Sequence, residues 1–135
     1  MSVNSINYKN MNFEFRCKSL VIKCKARNTK TANKIIQMLP IKSAINTWGD
    51  EIYFEIEKSN IELEKDSKDV FDLGEIAFWT QGSSIAVGFG PTPASKGSEI
   101  RLVTNCNTWA DAINPNELLK LKTLKGDDEI EVVLS

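Results

Sequence analysis

Apolar and polar residues alternate along several short stretches of this chain. In Leu20-Val21-Ile22-Lys23-Cys24-Lys25-Ala26-Arg27, Leu20, Ile22, Cys24 and Ala26 share one face, while Lys23, Lys25 and Arg27 share the other. A period of two marks a strand with one buried face. Phe13-Glu14-Phe15-Arg16-Cys17 has the same period, as do Ile130, Val132 and Leu134 near the end. Over residues 51–57, Ile52, Phe54 and Ile56 fall on one face, and Glu51, Tyr53, Glu55 and Glu57 on the opposite, solvent-facing row. Apolar runs over 41–48, 75–80, 84–89 and 99–104 predict further strands, and another is expected over 107–113.

Two segments break this period. Ala32, Ile35, Ile36 and Leu39 are spaced as one helix face, with Asn28 or Thr29 as cap and Pro40 as terminator. A helix of about ten residues has the right size to plug one end of a barrel. Asn114-Pro115-Asn116-Glu117 predicts a second helix start, running to residue 122. Residues 58–73 are acidic and weakly patterned and read as a long loop, with room for a helical turn around 67–70. Gly49-Asp50 and Gln81-Gly82 are turn signals, and Gly90-Pro91-Thr92-Pro93 interrupts regular structure because proline lacks a backbone donor. The pattern therefore predicts about eight short strands and two short helices, as a barrel or a sandwich.

With 135 residues the chain is expected to form a single domain over 1–135, residues 1–12 being a loose N-terminal segment or a lead-in to the first strand. No apolar run is long enough to span a membrane. The polar start lacks the apolar centre of a secretion signal, so the expected location is the cytoplasm. There is no histidine, and the three cysteines, Cys17, Cys24 and Cys106, have neither disulfide-framework nor zinc spacing. That removes the commonest general base and metal ligand together, and any Ser-His-Asp or Cys-His apparatus within one chain. No metal or cofactor is expected.

The net charge of −1 hides a segregation: residues 1–49 carry +8, residues 50–75 carry −7, and the remainder −2. Two readings follow, mutual neutralisation between neighbouring strands or a dipolar protein with a basic face. Lys23, Lys25 and Arg27 form a basic strand face without interleaved aromatics, and Gly88-Phe89-Gly90 lacks the lysine and the following helix of a phosphate loop. Neither nucleic acid nor membrane is expected as a partner, and the oligomeric state stays open.

Four stretches carry a resemblance: Leu39-Pro40-Ile41, Asn46-Thr47-Trp48-Gly49-Asp50-Glu51-Ile52-Tyr53-Phe54, Leu73-Gly74-Glu75-Ile76-Ala77-Phe78-Trp79 and Phe89-Gly90-Pro91-Thr92-Pro93. Together they resemble the small prokaryotic cyclophilin-like family, from about residue 20 to the end. The resemblance implies a mainly β fold, a closed cyclophilin-like β-barrel of about eight strands with helices at its ends. It does not carry over a catalytic residue. True cyclophilins use an Arg within a Phe-His-Arg motif, and this chain has neither that motif nor any His. Trp79-Thr80-Gln81-Gly82 shares only a Gln-Gly pair with them.

The candidate ligand-binding residues are Trp48, Asp50, Trp79, Phe89, Pro91, Pro93 and Arg101. Aromatics beside glycines at strand ends either line a pocket mouth or cap the core. Asp50 reads as a turn former bonding its own backbone. Arg101 either points into a pocket, as a donor to a carboxylate or carbonyl, or stands in solvent. The sequence thus points first to a binding module for a peptide or small ligand at the barrel rim. The alternatives, implied by the superfamily alone, are a weak peptidyl-prolyl cis-trans isomerase or an accessory subunit of a larger enzyme.

Overall fold

A computed structural model describes residues 11–135; the expected loose segment over 1–12 lies outside them except for Met11 and Asn12, the latter opening the first strand. The elements are β1 (Asn12–Cys17), β2 (Leu20–Ala26), α1 (Lys30–Met38), β3 (Ile41–Ala44), β4 (Asn46–Thr47), β5 (Glu51–Glu55), β6 (Lys68–Phe71), β7 (Glu75–Trp79), β8 (Ser84–Gly88), β9 (Ile100–Ala112), a 3-10 helix (Pro115–Thr123) and β10 (Glu129–Leu134). Nine strands follow the order β3-β10-β1-β2-β9-β7-β8-β5-β4, every neighbouring pair is antiparallel, and β6 pairs with β9 off this path.

The two ends of that path are one stretch of chain. Residues 41–48 read as a single strand, but the chain breaks at Ile45, whose backbone bonds Asp127 and Asp128. β3 pairs with β10 on one side of the break, and β4 pairs with β5 on the other. The kinked segment therefore bridges the sheet's edges into a nearly closed barrel, which leaves few free strand edges.

Inside lies one core. Phe13 and Phe15 of β1, Ile22 and Cys24 of β2, Ile52 and Phe54 of β5, Ile76 and Phe78 of β7, Ile85 and Val87 of β8, and Trp109 of β9 all point into it. Phe13 stacks on Trp109 with ring centroids 5.0 Å apart. Helix α1 starts where Thr29 accepts a hydrogen bond from the Ala32 N–H at 3.0 Å, and buries Ala32, Ile35 and Ile36 against the same core. The second expected helix forms as a 3-10 helix, capped by Asn114 and buried through Leu118 and Leu121.

Two further expectations change. Lys68–Phe71, read as loop or helical turn, is a strand: its weak pattern matters less than the open edge of β9, which supplies hydrogen-bond partners. The runs expected over 99–104 and 107–113 fuse into the single 13-residue β9. Its C-terminal half sits in the barrel wall between β2 and β7, with a bulge that drives Trp109 inward so that its indole N–H reaches the Ala77 carbonyl at 3.1 Å. Its N-terminal half leaves the wall and pairs with β6.

The segregated charges meet in space. Arg27 donates to Asp111 at 2.7 Å and to Glu75 at 3.0 Å, Lys68 also reaches Glu75, and Lys18 reaches Asp128. The Arg27 and Lys18 contacts join the basic early block to acids later in the chain, and the Lys68 contact pairs charges within the acidic block. No helix among the described residues is long and apolar enough to cross a membrane.

Candidate functional site

The stretches around Gly49 and Pro91 form one corner. Gly49 has φ +61°, and a Cβ there would lie 2.9 Å from both Thr92 Cα and Pro93 Cδ. Asp50 N–H donates to the Pro91 carbonyl at 3.0 Å, and Phe89 N–H donates to the Asp50 carbonyl at 2.8 Å. Gly90 is packed against the Asp50 carboxylate, with no room for a Cβ. Asp50 thus holds the corner through its backbone rather than through its side chain. Beyond the corner, Thr92 Oγ1 donates to the Arg101 carbonyl, and Ser95 Oγ accepts from Arg101 N–H at 3.2 Å, fixing the start of β9.

Fixed there, the first half of β9 crosses the outer face of β5, β8 and β7. A second, smaller core fills the space between: Phe71, Ala77, Ala86, Ile100, Leu102 and Cys106, with Tyr53, Leu73 and Trp79 packed on it. Gly88 makes the crossing possible, because a Cβ at that position would collide with Ile100. Beside this core lies a cleft of about 190 Å³, lined by Trp48, Glu51, Tyr53, Trp79, Ala86, Leu102, Val103 and Cys106.

Glu51 is the acidic group of the cleft. The alternation of β5 assigns it to the solvent row, yet it is only 6% exposed. The reason is tertiary: at Glu51 both faces of β5 are covered, one by the barrel core and the other by the β9 crossing. Its Oε1 has no hydrogen-bond partner among the described residues. Burial without a counter-ion pushes its carboxyl up to about 7. The neighbouring Cys106 thiol is pushed up to about 12, by burial first and by the Glu51 charge second, so it stays protonated near neutrality. Tyr53 and Trp79 meet edge to face at 6.3 Å, and the Trp79 indole N–H donates to Gln81 Oε1 at 3.2 Å.

Of the sequence-predicted residues, Trp48 and Trp79 line the cleft. Asp50, Pro91 and Pro93 build the corner behind it. Phe89 is buried in the main core. Arg101 lies on β9 between two acids, donating to Glu99 at 2.5 Å and to Asp69 at 2.6 Å, and does not line the cleft. The cleft is on the outer wall of the barrel, under the β9 crossing, rather than at the rim. Sequence reading missed Glu51, Tyr53, Leu102 and Cys106. For Leu102 and Cys106 one signal exists: the apolar residues of β9 keep one phase through Ile100, Leu102 and Cys106 and change phase at Trp109, as expected for a strand serving two cores in turn.

Comparison with known proteins agrees with this architecture. A family profile described as Cyclophilin-like matches residues 9–133. A hypothetical protein from Archaeoglobus fulgidus, known from its solution structure, is similar over 96% of this chain and 98% of its own, with 30% identity and a TM-score of 0.77. No curated protein matches the chain.

Proposed function

The chain belongs to the Cyclophilin-like family, and from that premise we propose that it is a binding module whose site is the Glu51 cleft. The observation that carries this reading is a buried carboxyl with one oxygen unpartnered, in a cleft whose other walls are mostly aromatic and apolar. Leaving a buried polar atom unpaired costs about 1–3 kcal/mol, which a ligand donor would recover. A few convergent polar groups among apolar walls are the usual make-up of a ligand site. The volume of about 190 Å³ suits a small molecule or one side chain of a peptide better than an extended peptide segment.

A prolyl isomerase reading finds less support. It requires a hydrogen-bond donor beside an apolar pocket, and Arg101, the best donor in sequence, is engaged by Glu99 and Asp69.

The test is a fragment titration followed through the three indole N–H signals. Trp109 is fully buried in the main core and serves as the internal reference. Small amines, amides and alcohols are added in turn, and at least one class is expected to move the Trp48 and Trp79 signals while Trp109 stays in place. Absence of any such selective movement rejects the cleft as a binding site.

A further inference from the structure

We infer that the group bound in the Glu51 cleft is an organic ammonium, with the positive charge against the Glu51 carboxylate and the carbon chain among Trp48, Tyr53 and Trp79. The inference rests on the cleft being a binding site at all, and adds the chemistry of what it takes.

Three observations carry it. First, Glu51 is a buried acid without a counter-charge among the described residues: none of their lysines or arginines lines the cleft, and burial alone accounts for its raised pKa. The titratable groups facing it from the packed strands are Tyr53 of β5 and Cys106 of β9, and the Cys106 thiol, raised by burial, stays protonated near neutrality. Arg101 and Asp69, from β9 and β6, are bonded to each other, and Asp50 faces Gly90 at the corner. The missing positive charge is therefore left to a ligand. Second, three aromatic side chains line the same small space. An aromatic ring attracts a cation over its face and gives no comparable advantage to an anion. The carboxylate and the rings thus select the same sign of charge, whereas a neutral donor would use only the carboxyl. Third, the rest of the lining is apolar, from Ala86 and Leu102 to Val103, which is 59% exposed at the edge of the cleft. That suits the short hydrocarbon chain of an alkylamine or of a lysine side chain.

Proton balance follows directly. Near pH 7 about half of the Glu51 carboxyls carry a proton, because the pKa is about 7. Binding an ammonium requires the ionised form, so up to about half a proton per ligand passes to the buffer.

The experiment titrates the full chain with n-butylammonium, with n-butanol as its neutral counterpart, and with Nα-acetyl-lysine N-methylamide. The readouts are the indole N–H signals and calorimetry in two buffers of different ionisation enthalpy. Butylammonium is expected to move Trp48 and Trp79 but not Trp109, to bind at least tenfold more tightly than butanol, and to release protons at pH 7. Its affinity should fall by roughly 50-fold or more between pH 8 and pH 5, following the ionised fraction of Glu51. Glu51→Gln should lose at least tenfold, and the pH series on the unmodified protein reads the same dependence if that variant folds poorly. Equal binding of the capped lysine assigns the ammonium to a peptide side chain, and binding of butylammonium alone assigns it to a free amine; both support the inference. Butanol binding as tightly as butylammonium, or proton uptake on binding, overturns the ammonium while leaving the cleft a binding site. If none of the three probes moves Trp48 or Trp79 selectively, the ammonium inference falls, and the fragment titration with amides then decides the cleft itself.

Discussion

The indole of Trp79 lies directly over Gly82, where a Cβ would collide with Cε3 and Cζ3 of the ring and sit 2.9 Å from Cδ2. The β7–β8 turn therefore sets the position of one wall of the cleft, with Gln81 holding the indole N–H and Tyr53 meeting the ring edge to face.

Gly82→Ala is expected to displace Trp79 while leaving the barrel intact, since the ring is half-buried and outside the main core. The Trp79 and Tyr53 signals should shift strongly, and those of Trp109 should stay. The variant should also bind the cleft's ligands more weakly by a factor of ten or more. An unchanged Trp79 signal would show that the ring does not rest on this glycine in solution.

Glu51 predicts an inverse pH dependence of stability. Its folded-state pKa of about 7 exceeds the ordinary value of 4.5, so the folded protein holds the proton more tightly than the unfolded chain. The sign is then fixed: the cost is absent below about pH 4.5, grows between about 4.5 and 7, and is complete above 7. Its full size is about 3 kcal/mol. The difference in stability between Glu51→Gln and the parent should therefore rise by that order from pH 4.5 to 8, measured by urea unfolding. A difference that stays flat with pH would show that Glu51 ionises as freely as in water.

Phe54 is fully buried and the adjacent Glu55 is exposed. Phe54→Ala is expected to cost about 3–5 kcal/mol through lost packing and a residual cavity, and Glu55→Ala no more than about 0.5 kcal/mol. Chemical denaturation of both variants checks this. Similar losses would contradict the register of β5 against β8.

Gly49→Ala is expected to destabilise by about 2 kcal/mol. The left-handed backbone at φ +61° penalises a side chain, and the new Cβ would press on Thr92 Cα, which is backbone and cannot swing aside. Thermal unfolding reads the loss. Because Trp48 N–H bonds the Glu51 carbonyl across this corner, the Trp48 indole signal should move as well. A neutral substitution would show that the corner is looser than its geometry implies.

Period-two alternation by itself determined most of the wall. Phe13 and Phe15, Ile22 and Cys24, Ile52 and Phe54, and Ile130 and Val132 all point into the core as their spacing requires, because a pleated strand with one buried face leaves no other phase. The helix from Lys30 and the turn at Gly49 were equally legible, since a cap, a proline and a positive φ are local demands. Tertiary structure alone decided the cleft. Glu51 and Tyr53 occupy the polar row of β5, and nothing local distinguishes them from Glu55, which stays in solvent. They came to line the cleft because a strand about fifty positions later overruns the barrel wall and covers that part of the row. Lys68–Phe71 became a strand for the same reason, the overrunning strand offering it an edge. Arg101 sat on the right strand but between two acids that only the fold brings to it. Burial from a distant segment leaves no trace in the period of the residues it covers, and that burial is what gives Glu51 its unpaired charge.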